Sequence, residues 1–159
     1  MSNKVMIIGT GNVGASIGFS LVSSHNAINE LVLIDQDQAD AEGEAMDLRD
    51  TLAVSPNFMK IHAGSYEKDS KDTDLVIITA GAAQKKGGET RTELLARNAK
   101  IVKEIVENLV KNDFQGIFLM VTNPVDVLSY LVMEYSGFPS HKVIGSGTVL
   151  DSARLKYNV

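Results

Sequence analysis

Cysteine is absent from the chain, which excludes disulfides, thiolate metal sites and a cysteine nucleophile. Long apolar runs are also missing. VMII, LVII and IFLMV fall far short of the ~20 residues that a membrane helix needs. The first apolar stretch follows one lysine and breaks at once into GTGNVG, which is not the pattern of a secretory signal. No Lys/Arg cluster occurs, and a net charge of −5 has the wrong sign for a nucleic-acid surface. Internal repeats and low-complexity linkers are lacking as well. What remains is one domain: 159 residues, 44% hydrophobic and 22% charged, suffice for one full core and are short for two. The simplest expectation is a cytoplasmic protein with neither nucleic acid nor membrane as partner.

Six short β-rich runs punctuate the sequence: Lys4–Ile8, Leu31–Asp35, Met59–Ala63, Leu75–Thr79, Ile117–Thr122 and Lys142–Gly145. Several are apolar on both faces, as strands of a parallel sheet covered on each side must be. Helical patterns lie between them. Val13, Ile17 and Leu21 recur at i, i+4 and i+8; a second helix is predicted over Ala39–Leu52. The clearest runs from Glu89 to Lys111, with apolar pairs at 94/95, 101/102, 105/106 and 109/110. Another follows Pro124, a good first-turn residue. The alternation predicts an α/β doubly wound sheet of six parallel strands with helices on both faces. Residues 64–74 read as a polar surface turn, and 81–88 as an exposed glycine-rich loop.

Gly9-Thr10-Gly11-Asn12-Val13-Gly14 fits G-x-G-x-x-G. Alone the pattern is weak, but here a strand precedes it, an amphipathic helix follows, and Asp35 closes the second strand about 20 residues on, as the dinucleotide (Rossmann) fingerprint requires. Gly9 permits the tight turn, Gly11 lets backbone approach a pyrophosphate, and Gly14 with Gly18 lets the helix pack close to the sheet. Val13 belongs to the same turn. The helix N-terminus offers amide groups and a positive dipole end to phosphates. Asp35 can accept both ribose hydroxyls and would repel a 2′-phosphate, which favours NAD over NADP. A ligand-free glycine turn and a methyltransferase first turn are the competing readings.

The segments ITAGAAQKKGGETRTELLARN, VTNPVDV and GFPSHKVIGSGTVLDSAR, in that order after those strands, closely resemble the NAD-binding half of the L-lactate/malate dehydrogenase family. The resemblance spans the chain. It implies NAD as cofactor, a small 2-oxo or 2-hydroxy acid as substrate, and a homo-oligomer. The 81–91 segment resembles the family's substrate lid. Arg91 matches the arginine that polarises the substrate carbonyl, a task suited to a permanent planar cation; otherwise it is a solvated residue of a helix's first turn. Gln84 matches the substrate-selecting position, where a neutral side chain suits a monocarboxylate such as pyruvate. Six residues (KKGGET) separate it from Arg91, one more than the family pattern, so Lys85 competes for the slot and a bulkier 2-oxo acid stays open. Tyr66, Gly81, Ala82, Val121 and Asn123 match cofactor positions, and Asn123 matches a substrate contact as well.

Arg154 matches the arginine that grips the substrate carboxylate through paired hydrogen bonds. Asp151 matches the aspartate that orients the catalytic histidine and stabilises its protonated form. Without the resemblance, the two are an i, i+3 surface ion pair worth a few tenths of a kcal/mol. The histidine itself is not in a matching context: His25, His62 and His141 are the three in the chain, and each reads as structural or solvated. The expected organisation is a dinucleotide-binding domain over 1–145 and, over 146–159, the start of a helix leading into a catalytic domain carried elsewhere. Within that frame the expected activity is L-lactate dehydrogenase, with an L-2-hydroxyisocaproate-type dehydrogenase as the alternative. A non-catalytic NAD-binding domain is the competing reading of different class. No metal site is expected.

Overall fold

A computed structural model describes residues 3–82 and 90–158. Its sheet has six strands: β1 (Lys4–Ile8), β2 (Glu30–Ile34), β3 (Lys60–Ala63), β4 (Leu75–Ile78), β5 (Ile117–Met120) and β6 (Val143–Gly145). Every pairing is parallel, in the order β3-β2-β1-β4-β5-β6. Successive strand residues point to opposite faces, and two cores result. Val5, Ile7, Leu31 and Leu33 pack with helices α1 (Asn12–Ser23) and α2 (Gln38–Thr51). Met6, Ile8, Val76 and Ile78 pack with α4 (Arg91–Lys111) and α5 (Val125–Ser136). A short α3 (Tyr66–Asp69) precedes β4, and α6 (Val149–Tyr157) follows β6. The doubly wound, six-stranded expectation holds. Its consequence for function is the crevice at the carboxyl ends of β1 and β4, where the winding reverses direction.

Three expectations are corrected. In α1 the fully buried residues are Gly14, Gly18 and Val22; Ile17 and Leu21 are partly buried against the core, but Val13 is exposed. A Cβ on Gly18 would lie 2.8 Å from Leu48 Cδ1, so close packing rather than side-chain bulk defines the buried face. The 64–74 segment is no plain surface turn: it contains α3, and Asp69, Ser70 and Thr73 are buried. Strand and helix ends also shift by a residue or two. β2 stops at Ile34 and β5 at Met120, which leaves Asp35, Thr122 and Asn123 on the loops where strands give way to ligand-facing turns. Pro124 caps α5 from outside, and Asn123-Pro124 is a cis peptide bond.

The helix α4 starts from a capping box in which Thr90 accepts from the Glu93 amide and Glu93 accepts from the Thr90 amide, so two unpaired amides of the first turn are satisfied reciprocally.

Candidate nucleotide-binding cleft

The crevice is a cleft of ≈ 730 Å³. It gathers the ends of β1, β2 and β4 and one side of α4, with Gly9, Gly11, Asp35, Tyr66, Gly81 and Ala82 on its walls. Six of the cofactor positions expected from sequence therefore meet in one place.

The first turn has the shape that its glycines dictate. Gly9 has φ +101°, and a Cβ there would sit 2.5 Å from the Ala80 amide nitrogen; left-handed backbone and close approach both demand glycine. A Cβ on Gly14 would lie 1.9 Å from the Gly9 carbonyl oxygen. Gly11 is different. Its φ is −64°, and a Cβ would meet nothing within 4 Å. Neither backbone conformation nor internal packing accounts for it, whereas a ligand drawn against the backbone would. No side chain caps α1, and its first turn carries no acid. The positive end of the helix is thus presented to the cleft, as an anion site requires.

Asp35 closes the other side. Its Oδ2 accepts from the Thr10 amide at 2.7 Å and the Thr10 hydroxyl at 3.0 Å, while Oδ1 accepts from the Asp37 amide at 3.2 Å. Burial pushes the carboxyl pKa up, but these donors outweigh it and hold the group below its ordinary value. A carboxylate offers about four acceptor positions, so Oδ1 retains capacity for a sugar hydroxyl. Asp40, Glu44 and Glu104 share the cleft wall; among its described lining residues there is no lysine or arginine. That wall suits an uncharged diol and opposes an extra phosphate on the sugar. Tyr66 stays protonated, its phenol pushed up to about 12 by burial and by neighbouring carboxylates, Asp35 foremost. Together the amide-lined turn, the Cβ-free approach at Gly11 and the diol-accepting carboxylate fit a dinucleotide.

Other expected positions lie apart from the cleft walls. Val13 is exposed on the first turn of α1. Val121 and Asn123 leave β5, where the Val121 amide donates to the Ile78 carbonyl at 3.0 Å. Asp151 and Arg154 are exposed on α6, with 3.4 Å between carboxylate and guanidinium. Gln84, Lys85 and the Arg91 side chain lie outside the described residues; the Arg91 backbone opens α4. His62 bonds Glu30 Oε1 at 2.8 Å, and His25 and His141 are exposed, so none of the three lines the cleft.

Several contributors went unread in the sequence. Thr10 holds Asp35, and the Thr79 hydroxyl donates to the Gly9 carbonyl at 2.6 Å. Asn98, on α4, is buried to 2% exposure. The signal for it was present: an amide at position 98 interrupts the apolar stripe between 94/95 and 101/102.

A profile of the "lactate/malate dehydrogenase, NAD binding domain" family matches residues 3–145. L-lactate dehydrogenase 2 of Bacillus cereus is 51% identical over 155 residues, which cover 98% of this chain and 48% of the relative. The crystal structure of a lactate dehydrogenase, MGS-M5, from a Medee basin deep-sea metagenome library superposes with TM-score 0.93 at 52% identity, over 99% of this chain and 50% of that one. A malate dehydrogenase of Archaeoglobus fulgidus, solved in complex with NADH, gives TM-score 0.90 at 37% identity, over 98% and 52%. The chain spans about half the length of the curated relatives it matches. No helix among the described residues is long and apolar enough to cross a membrane.

Proposed function

Since the chain belongs to the NAD-binding-domain family of the lactate/malate dehydrogenases, we propose that it is the coenzyme half of an L-lactate dehydrogenase. The observation that carries this is the cleft where β1 and β4 diverge, with the uncapped end of α1 and the Gly11 approach on one side and Asp35 on the other. When bound, the reduced dinucleotide supplies a hydride to the carbonyl carbon of a 2-oxo acid. The chain's own residues hold and polarise. Arg154 pairs with the substrate carboxylate, Arg91 stabilises charge developing on the carbonyl oxygen, and Asn123 orients substrate and nicotinamide ribose. Gln84 selects a substrate without a second carboxylate. Asp151 orients a histidine supplied from outside this chain, which protonates the oxygen.

The proposal divides the chain at Gly145, with 1–145 serving the coenzyme and 146–159 opening towards the catalytic half. A cytoplasmic location and homo-oligomeric assembly belong to it as expectations of the family.

Calorimetry on the 159-residue chain tests it. NADH is expected to bind, NADPH at least about tenfold more weakly (~1.4 kcal/mol), and pyruvate is expected to cause no NADH oxidation, because no imidazole faces the cleft. Absence of heat with NADH defeats the assignment; pyruvate-dependent oxidation defeats the division of labour.

A further inference from the structure

Two loops bearing proposed coenzyme residues leave adjacent strands: Gly81 and Ala82 after β4, Val121 to Asn123 after β5. One buried side chain joins them. Asn98 Oδ1 accepts from the Ala82 amide at 2.8 Å, and its Nδ2 donates to the Asn123 carbonyl at 3.1 Å. Nearby, the Thr122 hydroxyl donates to the Ala80 carbonyl at 2.8 Å. The loops also approach closely, since a Cβ on Gly81 would lie 2.5 Å from Thr122 Cγ2 and 3.5 Å from Asn98 Oδ1.

An amide in that position is costly unless bonded. The surrounding stripe of α4 is apolar, and a well-packed apolar side chain there would serve folding about as well. The amide instead has its oxygen and its nitrogen each matched to a backbone group of a different loop. We propose that Asn98 is a positioning residue that sets the relative placement of these loops, and so shapes the nicotinamide end of the cleft but not the adenosine end, which Gly9, Gly11 and Asp35 build without it. The inference rests on the coenzyme reading above.

The test compares two ligands on the intact chain. ADP reaches only the adenosine and diphosphate subsites, whereas NADH also needs the far loops. Asn98→Asp keeps the acceptor for Ala82 but sets an acceptor against the Asn123 carbonyl. Asn98→Ala removes both bonds without adding charge. For at least one variant, calorimetric Kd for NADH is expected to rise about tenfold (~1.4 kcal/mol) while Kd for ADP changes less than about twofold. The proposal is overturned if both variants leave NADH affinity unchanged, or if they weaken ADP in parallel or fail to fold, which would mark the amide as structural only. Failure of the unsubstituted chain to bind either ligand would remove the coenzyme reading, and the inference with it.

Discussion

Gly11 and Gly14 lack a Cβ for opposite reasons, although one turn contains both. At Gly14 the obstacle is the protein itself, the Gly9 carbonyl oxygen 1.9 Å from where the Cβ would be. At Gly11 the protein leaves open space. Gly14→Ala is therefore expected to destabilise the fold by at least about 2 kcal/mol, the scale of overpacking. Gly11→Ala is expected to leave stability within about 0.5 kcal/mol yet weaken NADH at least about tenfold. Urea unfolding and calorimetry on the pair check this; a Gly11→Ala chain that binds NADH normally would mean that the backbone there does not face the coenzyme. The motif fixes both positions relative to a strand and a helix, which makes an expectation for each legible in sequence; at Gly14 the close neighbour is the Gly9 carbonyl oxygen rather than the sheet. Thr10, Thr79 and Asn98 were not legible in the same way. Thr79 and Asn98 bond backbone groups and Thr10 bonds the Asp35 carboxylate, all brought near by the fold, Gly9 bonded by Thr79 from seventy positions away, and nothing local in the chain encodes such a pairing.

The largest departure from the sequence pattern at the scale of elements is α3, and one lysine explains its place. Lys4 begins β1 and is only 2% exposed. Its Nζ donates to Asp69 at 2.9 Å and Asp72 at 3.0 Å, with Glu30 of β2 at 3.8 Å. These acids draw the polar 64–74 segment onto the sheet, so a stretch composed like a surface loop is partly interior. Composition could not reveal this, because the charge that neutralises the acids lies over sixty positions earlier. Glu30, His62 and Asp69 gather closely enough to suggest a metal cluster, but the Lys4 ammonium already supplies the cation there. Lys4→Met is expected to cost about 3–5 kcal/mol, as removing one partner leaves the buried Asp69 carboxylate without its cation. Burial lowers the Lys4 pKa, yet its bonds to Asp69 and Asp72 prevail and raise it above the ordinary 10.5. A raised lysine stabilises fully below its unfolded value and loses that contribution as pH rises through the folded one. Urea midpoints should thus fall above about pH 10.5, and that part of the fall should vanish in Lys4→Met. A cost below about 1 kcal/mol would mean that the lysine is not what holds α3.

Across the whole molecule, the proposed site residues fall into two mechanical classes. Gly9 and Asp35 directly follow strands of the sheet, and Asn123 lies on the loop that leaves β5. Asp151 and Arg154 ride on α6, which has nine residues and buries none of them; Val149, Leu150, Leu155 and Tyr157 all face solvent. Isolated helices shorter than about 12–15 residues are marginal in water, and an exposed ion pair adds only a few tenths of a kcal/mol. On the proposed reading, its two charged residues hold a substrate in fixed geometry only once the apolar side chains of α6 are covered. The division proposed at 145/146 would separate these two classes. Hydrogen exchange on the intact chain reads the difference directly. Amides of β1 and β4 are expected to open only with global unfolding, those of 149–157 to exchange within the shortest labelling time. Saturating NADH should slow exchange in 9–14 and leave 149–157 as fast as before. Slow exchange in α6 without ligand would show that the helix is anchored here, and the substrate-gripping pair would then be preformed on the coenzyme half alone.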